Sequence, residues 1–209
     1  MKFVSLGLLS FGIILLMQVI SPVISFQIFS IGQKANNQSL ISPMSESGSI
    51  LGVSVQNRNN FPLFISSLVR QTQANYDSFY LTIPKLKMER NNVYVDSNDL
   101  SQGLIHLPGS ALPGEKGNMF ISGHSAVNGF LAGQKAPFAK LTELKKNDEI
   151  LVEAAENKFV YQVVEIKIVD PSDVAVISAP DLLGRYISLM TCVPPGLNFK
   201  RLVVIGKMI

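Results

Sequence analysis

Cys192 is the residue of this sequence whose type and position most directly suggest chemistry. It is the single cysteine of the chain and lies in SLMTCVPPG, at the end of an apolar strand pattern and two positions before Pro194. Because proline has no N–H to donate to a sheet ladder, the pattern predicts that the strand ends there and presents the thiol at its rim. A thiolate in that position is a nucleophile, whereas a buried apolar cysteine is the alternative interpretation.

His124 ends a second strand pattern, NMFISGH, in which Gly123 permits close approach of backbone or substrate and Ser125 follows. A Cys–His pair needs closeness in space rather than in sequence, so either histidine of the chain could serve Cys192. His106, in LIHLPGS, lies in a loop-like stretch and is expected to be structural or near the substrate. His124 is therefore the candidate for proton transfer.

Arg201 begins RLVVIGKMI, nine positions after Cys192. Two antiparallel strands joined across VPPGLNFK would return Arg201 to the level of Cys192. A guanidinium there could stabilise oxyanion charge or hold a substrate carbonyl, and an exposed strand-end cation is the alternative. Lys200 is expected to point to the opposite face.

The elements that must position these residues are short strands. From Phe79 onward, β-rich runs alternate with turn residues, and the main runs are YLTIPKL, NVYV, NMFISGH, EILVEA, KFVYQVVEIKIV, RYISLMTC and RLVVIGKMI. Phe138, Leu141 and Leu144 recur every three residues and predict one short amphipathic helix. Seven or eight short strands with one or two small helices predict a mainly β domain, either a closed barrel or a sandwich.

The N-terminal segment has the composition of a membrane anchor. No residue from Phe3 to Gly32 is charged, and Lys2 precedes this run. The length predicts a transmembrane helix over residues 3–26, and the positive charge predicts a cytoplasmic N-terminus at residues 1–2 with the rest of the chain outside. A cleaved signal peptide is the alternative, although VISFQIF offers no small-x-small cleavage site. We therefore expect a single-pass protein of the cell membrane.

Residues 27–76 are rich in Asn, Ser and Gln, which predicts an extracellular stalk, with a weak signal for a short helix near Pro62. Residues 1–76 hold 4 of the 18 basic and 1 of the 15 acidic residues, which leaves 14 of each sign for the remainder. That balance argues against nucleic-acid binding. One cysteine excludes an intramolecular disulfide, and a lone thiol outside the cell favours catalysis.

The segment PGEKGNMFISGH, followed downstream by SLMTCVPPGLNFKRLVV, resembles the sortase family in order, spacing and flanks. The resemblance covers roughly residues 79–209 and is closest to sortases of classes D and E, although Leu197 stands where such sequences often carry Thr. It implies a closed eight-stranded barrel and a catalytic domain at residues 77–209. It also implies catalytic roles for Cys192, His124 and Arg201, and substrate contacts at Thr191, Gly123 and Ser125.

The family resemblance further implies a cysteine transpeptidase that cleaves an LPxTG-like sorting signal through a thioacyl enzyme. The expected partners are surface proteins or pilins with a C-terminal sorting signal, and a peptidoglycan precursor or another amine acceptor. No cofactor and no metal are expected, because Asp170, Asp173 and Asp181, in the segment where some sortases bind calcium, are spread out.

There are two alternatives to a sortase-type transpeptidase. An inactive membrane-tethered binding module could keep the same fold. An L,D-transpeptidase would need a tight Ser-His-Gly-Cys type cluster, whereas His124 precedes Cys192 by 68 positions.

Overall fold

The computed structural model describes residues 11–13, 16, 17, 20, 24, 28, 53–58, 61–66, 70, 73–125, 136–195 and 199–209. The chain divides into two compact units, Met1–Ile41 and Ser42–Ile209. The described residues of the first unit are helical. Within the described part of the chain, no helix has the length and apolar character needed to cross a membrane. The predicted cytoplasmic residues 1–2 and most of the predicted anchor lie outside the described residues.

The second unit is built on a closed barrel of eight strands among its described residues. All ten described strands are β1 Val53–Arg58, β2 Phe61–Ser66, β3 Ser78–Ile83, β4 Met88–Tyr94, β5 Leu104–His106, β6 Gly117–Ser122, β7 Glu149–Ala154, β8 Asn157–Val169, β9 Arg185–Val193 and β10 Lys200–Met208. The barrel order is β10-β8-β7-β3-β4-β5-β6-β9. β4 pairs with β5 and β6 with β9 in parallel, and the other barrel pairs are antiparallel. The predicted eight-stranded barrel is thus confirmed.

The segment around Phe138, Leu141 and Leu144, predicted to be a short amphipathic helix, has a different structure. Turns and a three-residue 3-10 helix, Leu141–Glu143, occupy this segment, and all three apolar side chains are buried as expected. Their spacing of three residues matches the 3.0 residues per turn of a 3-10 helix better than the 3.6 of an α-helix. The other described 3-10 helices are Pro84–Leu86, Leu100–Gln102 and Val174–Ile177.

Part of the predicted stalk is folded. β1 and β2 form an antiparallel hairpin, so the helix suggested near Pro62 is wrong. Phe64 is buried and packs on Phe120 with 6.0 Å between ring centroids, and the Ser66 hydroxyl donates to the Pro108 carbonyl at 2.7 Å. The polar composition of the surrounding segment hid this short apolar strand, and a two-stranded sheet has the edge positions that tolerate proline.

β5 was also expected to be a loop. Its three residues, Leu104–His106, are all buried between β4 and β6. A run of three residues is too short for periodicity to distinguish a strand from a turn.

A cluster of buried side chains covers one face of the sheet formed by β6, β9 and β10. We call it the covering cluster, and its members are Phe64, Leu107, Phe120, Val174, Ile177, Tyr186, Met190, Val203 and Ile205. The hairpin supplies Phe64, and the connection between β8 and β9 supplies Val174 and Ile177. Two segments far apart in sequence therefore pack over the same face.

Candidate functional site

Cys192 and Arg201 are direct cross-strand partners in the antiparallel ladder of β9 and β10. This is the pairing that the sequence predicted. Both residues are almost inaccessible, with 1% of Cys192 and 0% of Arg201 exposed. The Arg201 guanidinium donates from Nη1 to the Lys200 carbonyl at 3.3 Å, while Lys200 itself reaches the exposed Asp170 carboxylate. The arginine is therefore held beside the thiol and the lysine points to solvent.

Burial controls the protonation of this pair. It raises the pKa of the Cys192 thiol to about 11, and the positive charge of Arg201 partly offsets the rise. Burial also lowers the pKa of Arg201, and the interaction with Cys192 opposes that shift. Since the thiol is neutral near pH 7, a thiolate formed there depends on the adjacent guanidinium for stabilisation.

Three hydrogen bonds hold the main chain at Gly123 and His124. The Gly123 N–H donates to the Met190 carbonyl at 3.1 Å, and the Gly123 carbonyl accepts from the Thr191 hydroxyl at 2.8 Å. The His124 carbonyl accepts from the N–H of Phe138 at 3.0 Å. Burial lowers the pKa of His124. Its imidazole is consequently neutral at neutral pH.

Strand register brings the end of β6, the end of β9 and the start of β10 together. β6 and β9 are parallel with Ser122 opposite Met190, and the Gly123 N–H donates to the Met190 carbonyl, so His124 follows β6 near the end of β9 that carries Cys192. Side chains alternate along a strand, and Met190 belongs to the covering cluster, so Cys192 lies on the same face. The same alternation along β10 places Arg201 on the face of Val203.

Gly123 is required by packing. A Cβ atom there would lie 2.6 Å from Cδ2 of Leu104 and 2.8 Å from Cδ2 of Phe138. The close approach expected at this glycine is thus made by two side chains. Thr191 and Ser125 are both buried. Leu104 and Phe138 support His124 without having been singled out for that role, although the burial of Phe138 was predicted.

His106 lies in a separate polar network. Its Nε2 is 2.9 Å from the Ala111 carbonyl and 2.8 Å from the Ser110 hydroxyl, and its Nδ1 is 3.5 Å from Oδ1 of Asp96. Because a carbonyl oxygen can only accept, Nε2 carries a proton. Arg70 joins the network through the Asp96 carboxylate and the Ser110 carbonyl. These contacts support the structural interpretation of this buried histidine.

The three aspartates considered for calcium have separate local partners. Asp170 contacts Lys200, Asp173 accepts from the Ala175 N–H, and Asp181 accepts from Leu183 and its neighbours. Among the described residues, no group of three or more His, Cys, Asp or Glu side chains could hold a metal ion.

Residues 81–209 match the family model described as the Sortase domain. Sortase D of Bacillus subtilis (strain 168) is 32% identical over 131 residues, which cover 61% of each chain. Sortase SrtE1 of Streptomyces coelicolor is 33% identical over 108 residues, covering 48% of this chain and 29% of that one. The chain therefore spans less than two thirds of the length of these curated relatives.

A solved structure is similar in fold. The crystal structure of sortase C-1 from Actinomyces oris has a TM-score of 0.57 and 26% sequence identity, covering 65% of this chain and 76% of that one. The relatives named sortase D and SrtE1 are consistent with the class D and class E resemblance. Since the Sortase domain accounts for more than half of the residues and the barrel is shared, the chain belongs to the sortase family.

Proposed function

We propose that this chain is a membrane-anchored cysteine transpeptidase with Cys192 as nucleophile, His124 as proton-transfer residue and Arg201 as electrostatic stabiliser. The observation that carries the proposal is the direct pairing of Cys192 with Arg201, beside the strand that leads into His124. A cysteine or an arginine with a purely structural role would not require the other residue as its cross-strand partner. Together they provide a nucleophile and a fixed positive charge where an oxyanion would form.

In the acylation step, the thiol proton of Cys192 passes to His124 and the thiolate sulfur attacks a backbone carbonyl carbon of the sorting signal. Arg201 stabilises the negative charge on the carbonyl oxygen of the tetrahedral intermediate. His124 then donates its proton to the departing amine as the C–N bond breaks. A thioester on Cys192 remains.

In the transfer step, an acceptor amine attacks the thioester carbonyl. His124 takes the proton of the attacking amine, the C–S bond breaks, and Cys192 leaves as a thiolate. The product is a new amide. We propose an LPxTG-like signal on a surface protein or pilin as the donor, and a peptidoglycan precursor or pilin amine as the acceptor. Thr191, Gly123 and Ser125 are proposed to line the substrate site.

The proposed location is the cell membrane. The uncharged segment at residues 3–26 would act as a single-pass anchor, with residues 1–2 in the cytoplasm and the barrel outside. A tethered enzyme meets exported substrates and lipid-linked acceptors at the membrane where both arrive. Because Val53 of β1 and Phe64 of β2 pack in the covering cluster, the folded catalytic region is proposed to extend upstream of residue 77, at least to β1.

The test is trapping of the acyl enzyme. The full chain, in detergent micelles, is incubated with LPxTG-like peptides and a series of amines, and the protein is analysed by intact mass. We expect an adduct on Cys192 that passes to an amine, and no adduct with Cys192→Ala. A folded protein that forms no adduct with any peptide would contradict the proposal.

The second candidate is an inactive binding module with the sortase fold. The observation that favours it is the burial of the thiol, with its pKa raised to about 11. It predicts peptide binding without transfer, and identical peptide affinity for the Cys192→Ala variant. Transfer of an acyl group to any amine would exclude it.

A further inference from the structure

Two leucines are exposed at the end of the barrel where β9 begins, whereas Cys192 lies near the other end of that strand. Leu182 is 94% and Leu183 is 77% exposed, in the connection that leads into β9. With Asp181, Gly184, Arg185, Lys207 and Met208 they line an open groove of about 920 Å³. Large aliphatic side chains exposed side by side are unfavourable in water unless something covers them.

Local contacts hold in place the turn that carries Leu182 and Leu183, which we call the tip. The Asp181 carboxylate accepts hydrogen bonds from the N–H groups of Leu183 and Gly184 and from the Tyr186 hydroxyl. A Cβ atom at Gly184 would lie 2.2 Å from Cε2 of Tyr186, so the absence of a side chain lets the ring pack against the loop. The outward position of the leucines therefore follows from a hydrogen-bonded turn.

Three cations lie at the same end of the barrel as the leucine pair. Lys116 is exposed and precedes Gly117, whose N–H donates to the Gly184 carbonyl at 3.0 Å. Arg185 donates from Nε to the Gly114 carbonyl at 2.8 Å, and Lys207 Nζ lies 5.7 Å from the centroid of the Tyr186 ring.

The carboxylates beside these cations are those of Asp181 and Glu115, and both accept hydrogen bonds from nearby backbone N–H groups. A hydrogen bond from a backbone N–H does not neutralise a carboxylate, so three cations and two carboxylates give this end of the barrel a net charge of +1. This positive excess is complementary to an anionic surface.

We propose that this tip, which carries Leu182 and Leu183 and lies at the same end of the barrel as Lys116, Arg185 and Lys207, docks onto the surface of an anionic lipid bilayer. Aliphatic side chains enter the boundary between headgroups and acyl chains, and nearby cations interact with lipid phosphates. The inference goes beyond the proposed acyl transfer and does not depend on it.

The docking orients the barrel. Arg185 and Cys192 are seven residues apart on β9, which corresponds to about 23 Å at a rise of about 3.3 Å per residue. With Leu182 and Leu183 at the lipid, the end of β9 that carries Cys192 would be directed away from the bilayer.

The test uses the full chain with Cys192→Ala, so that one introduced cysteine can carry an environment-sensitive nitrobenzoxadiazole label. The label is placed at Leu182→Cys or, as a matched control at the other end of β9, at Phe199→Cys, which replaces a residue that is 65% exposed. Each protein is reconstituted in vesicles of phosphatidylcholine, with or without phosphatidylglycerol. Quenching by a doxyl-labelled lipid is measured.

We expect stronger quenching at residue 182 than at residue 199, by a factor on the order of two or more, and an increase with phosphatidylglycerol. Leu183→Ser and Lys207→Gln should each reduce the signal at residue 182. Equal quenching at the two positions would overturn the proposal. A blue shift at residue 182 that depends on protein concentration and not on lipid would instead assign the tip to a second copy of the chain.

Discussion

The two histidines of this chain lie on adjoining segments of the barrel and have opposite surroundings. His106 is on β5 and pairs with Ile121 on β6, and both nitrogens of its buried ring contact polar atoms. His124 follows β6 by two residues, is partly exposed, and has its main chain held beside Met190 and Phe138. Residue type is identical at the two positions. What differs is burial, because the His106 ring is fully buried whereas His124 is partly exposed.

The hydrogen bonds around the two histidines have different roles in the barrel. Around His106, hydrogen bonds connect Asp96, Ser110 and Arg70, and therefore join the segment before β3 to the barrel. At His124, hydrogen bonds fix the main chain of Gly123 and His124, and one of them is donated by the Thr191 hydroxyl. A fully buried histidine in a polar network stabilises the fold, whereas a partly exposed one can exchange protons with a substrate.

The largest expected effect is on catalysis by His124→Ala. Loss of a general acid and base should lower the rate of acyl transfer by about 10²–10⁴-fold, with the barrel retained. The measurement is single-turnover formation of the acyl enzyme by mass spectrometry. The matched variant His106→Gln should change the rate per folded molecule very little, and equal losses in the two variants would abolish the distinction between the histidines.

The next effect is the pH dependence of the Cys192 thiol. Because only the thiolate reacts and the pKa is about 11, alkylation by iodoacetamide should accelerate about tenfold per pH unit between about pH 7 and pH 10. Arg201→Met removes the charge that lowers this pKa, so its alkylation should be slower at each pH. His106→Gln should leave the profile unchanged. A rate that levels off near pH 7 would show a thiolate already formed, contrary to this expectation.

His106→Ala should act on stability. The substitution leaves a cavity and removes the partner of the Asp96 N–H, the Ala111 carbonyl and the buried Ser110 hydroxyl, so the free energy of unfolding should fall by about 2–4 kcal/mol. Urea denaturation of the full chain in a fixed detergent, followed by circular dichroism, measures this change. His124→Ala is the control, with an expected loss of about 1 kcal/mol. A greater loss of unfolding free energy in His124→Ala than in His106→Ala would contradict this prediction.

The smallest expected effect is that of Arg70→Ala, which loosens the His106 network from outside. Arg70 has a side chain that is 9% exposed and donates to the Ser110 carbonyl at 2.8 Å, so the loss should be about 1–2 kcal/mol. Arg90→Ala, which breaks a surface pair with Glu153 by removing a side chain that is 58% exposed, should cost less than about 1 kcal/mol. Equal losses in urea denaturation would mean that the network adds nothing.

The Arg70 effect should also depend on pH. Burial acts to raise the pKa of Asp96, but the hydrogen bond to His106 and the charge of Arg70 outweigh it, and the net pKa is lowered. A carboxyl with a lowered folded-state pKa stabilises the fold above its unfolded pKa and loses that contribution as the pH falls. The difference between Arg70→Ala and the parent chain should therefore shrink below about pH 4.

Much of the barrel could be predicted because its long strands carry local signals. The apolar runs that became β9 and β10 are long, and the short connection between them predicted the pairing of Cys192 with Arg201 that the structure has. The hairpin at β1 and β2 and the short β5 were missed, because six polar-flanked residues or three apolar ones do not establish a period. The spacing of Phe138, Leu141 and Leu144 predicted their burial correctly but predicted the wrong helix type.

The sequence by itself determined the sortase resemblance, the strands and the candidate residues, since all of these depend on residue type and short-range order. Only the tertiary structure decided that Cys192 is buried with its pKa raised to about 11, and that His106 belongs to a structural network. The parallel pairing of β6 with β9 also brings the end of β6, which His124 follows, to the part of β9 that leads into Cys192. Burial and parallel pairing arise from contacts between segments far apart in the chain, which no local pattern specifies.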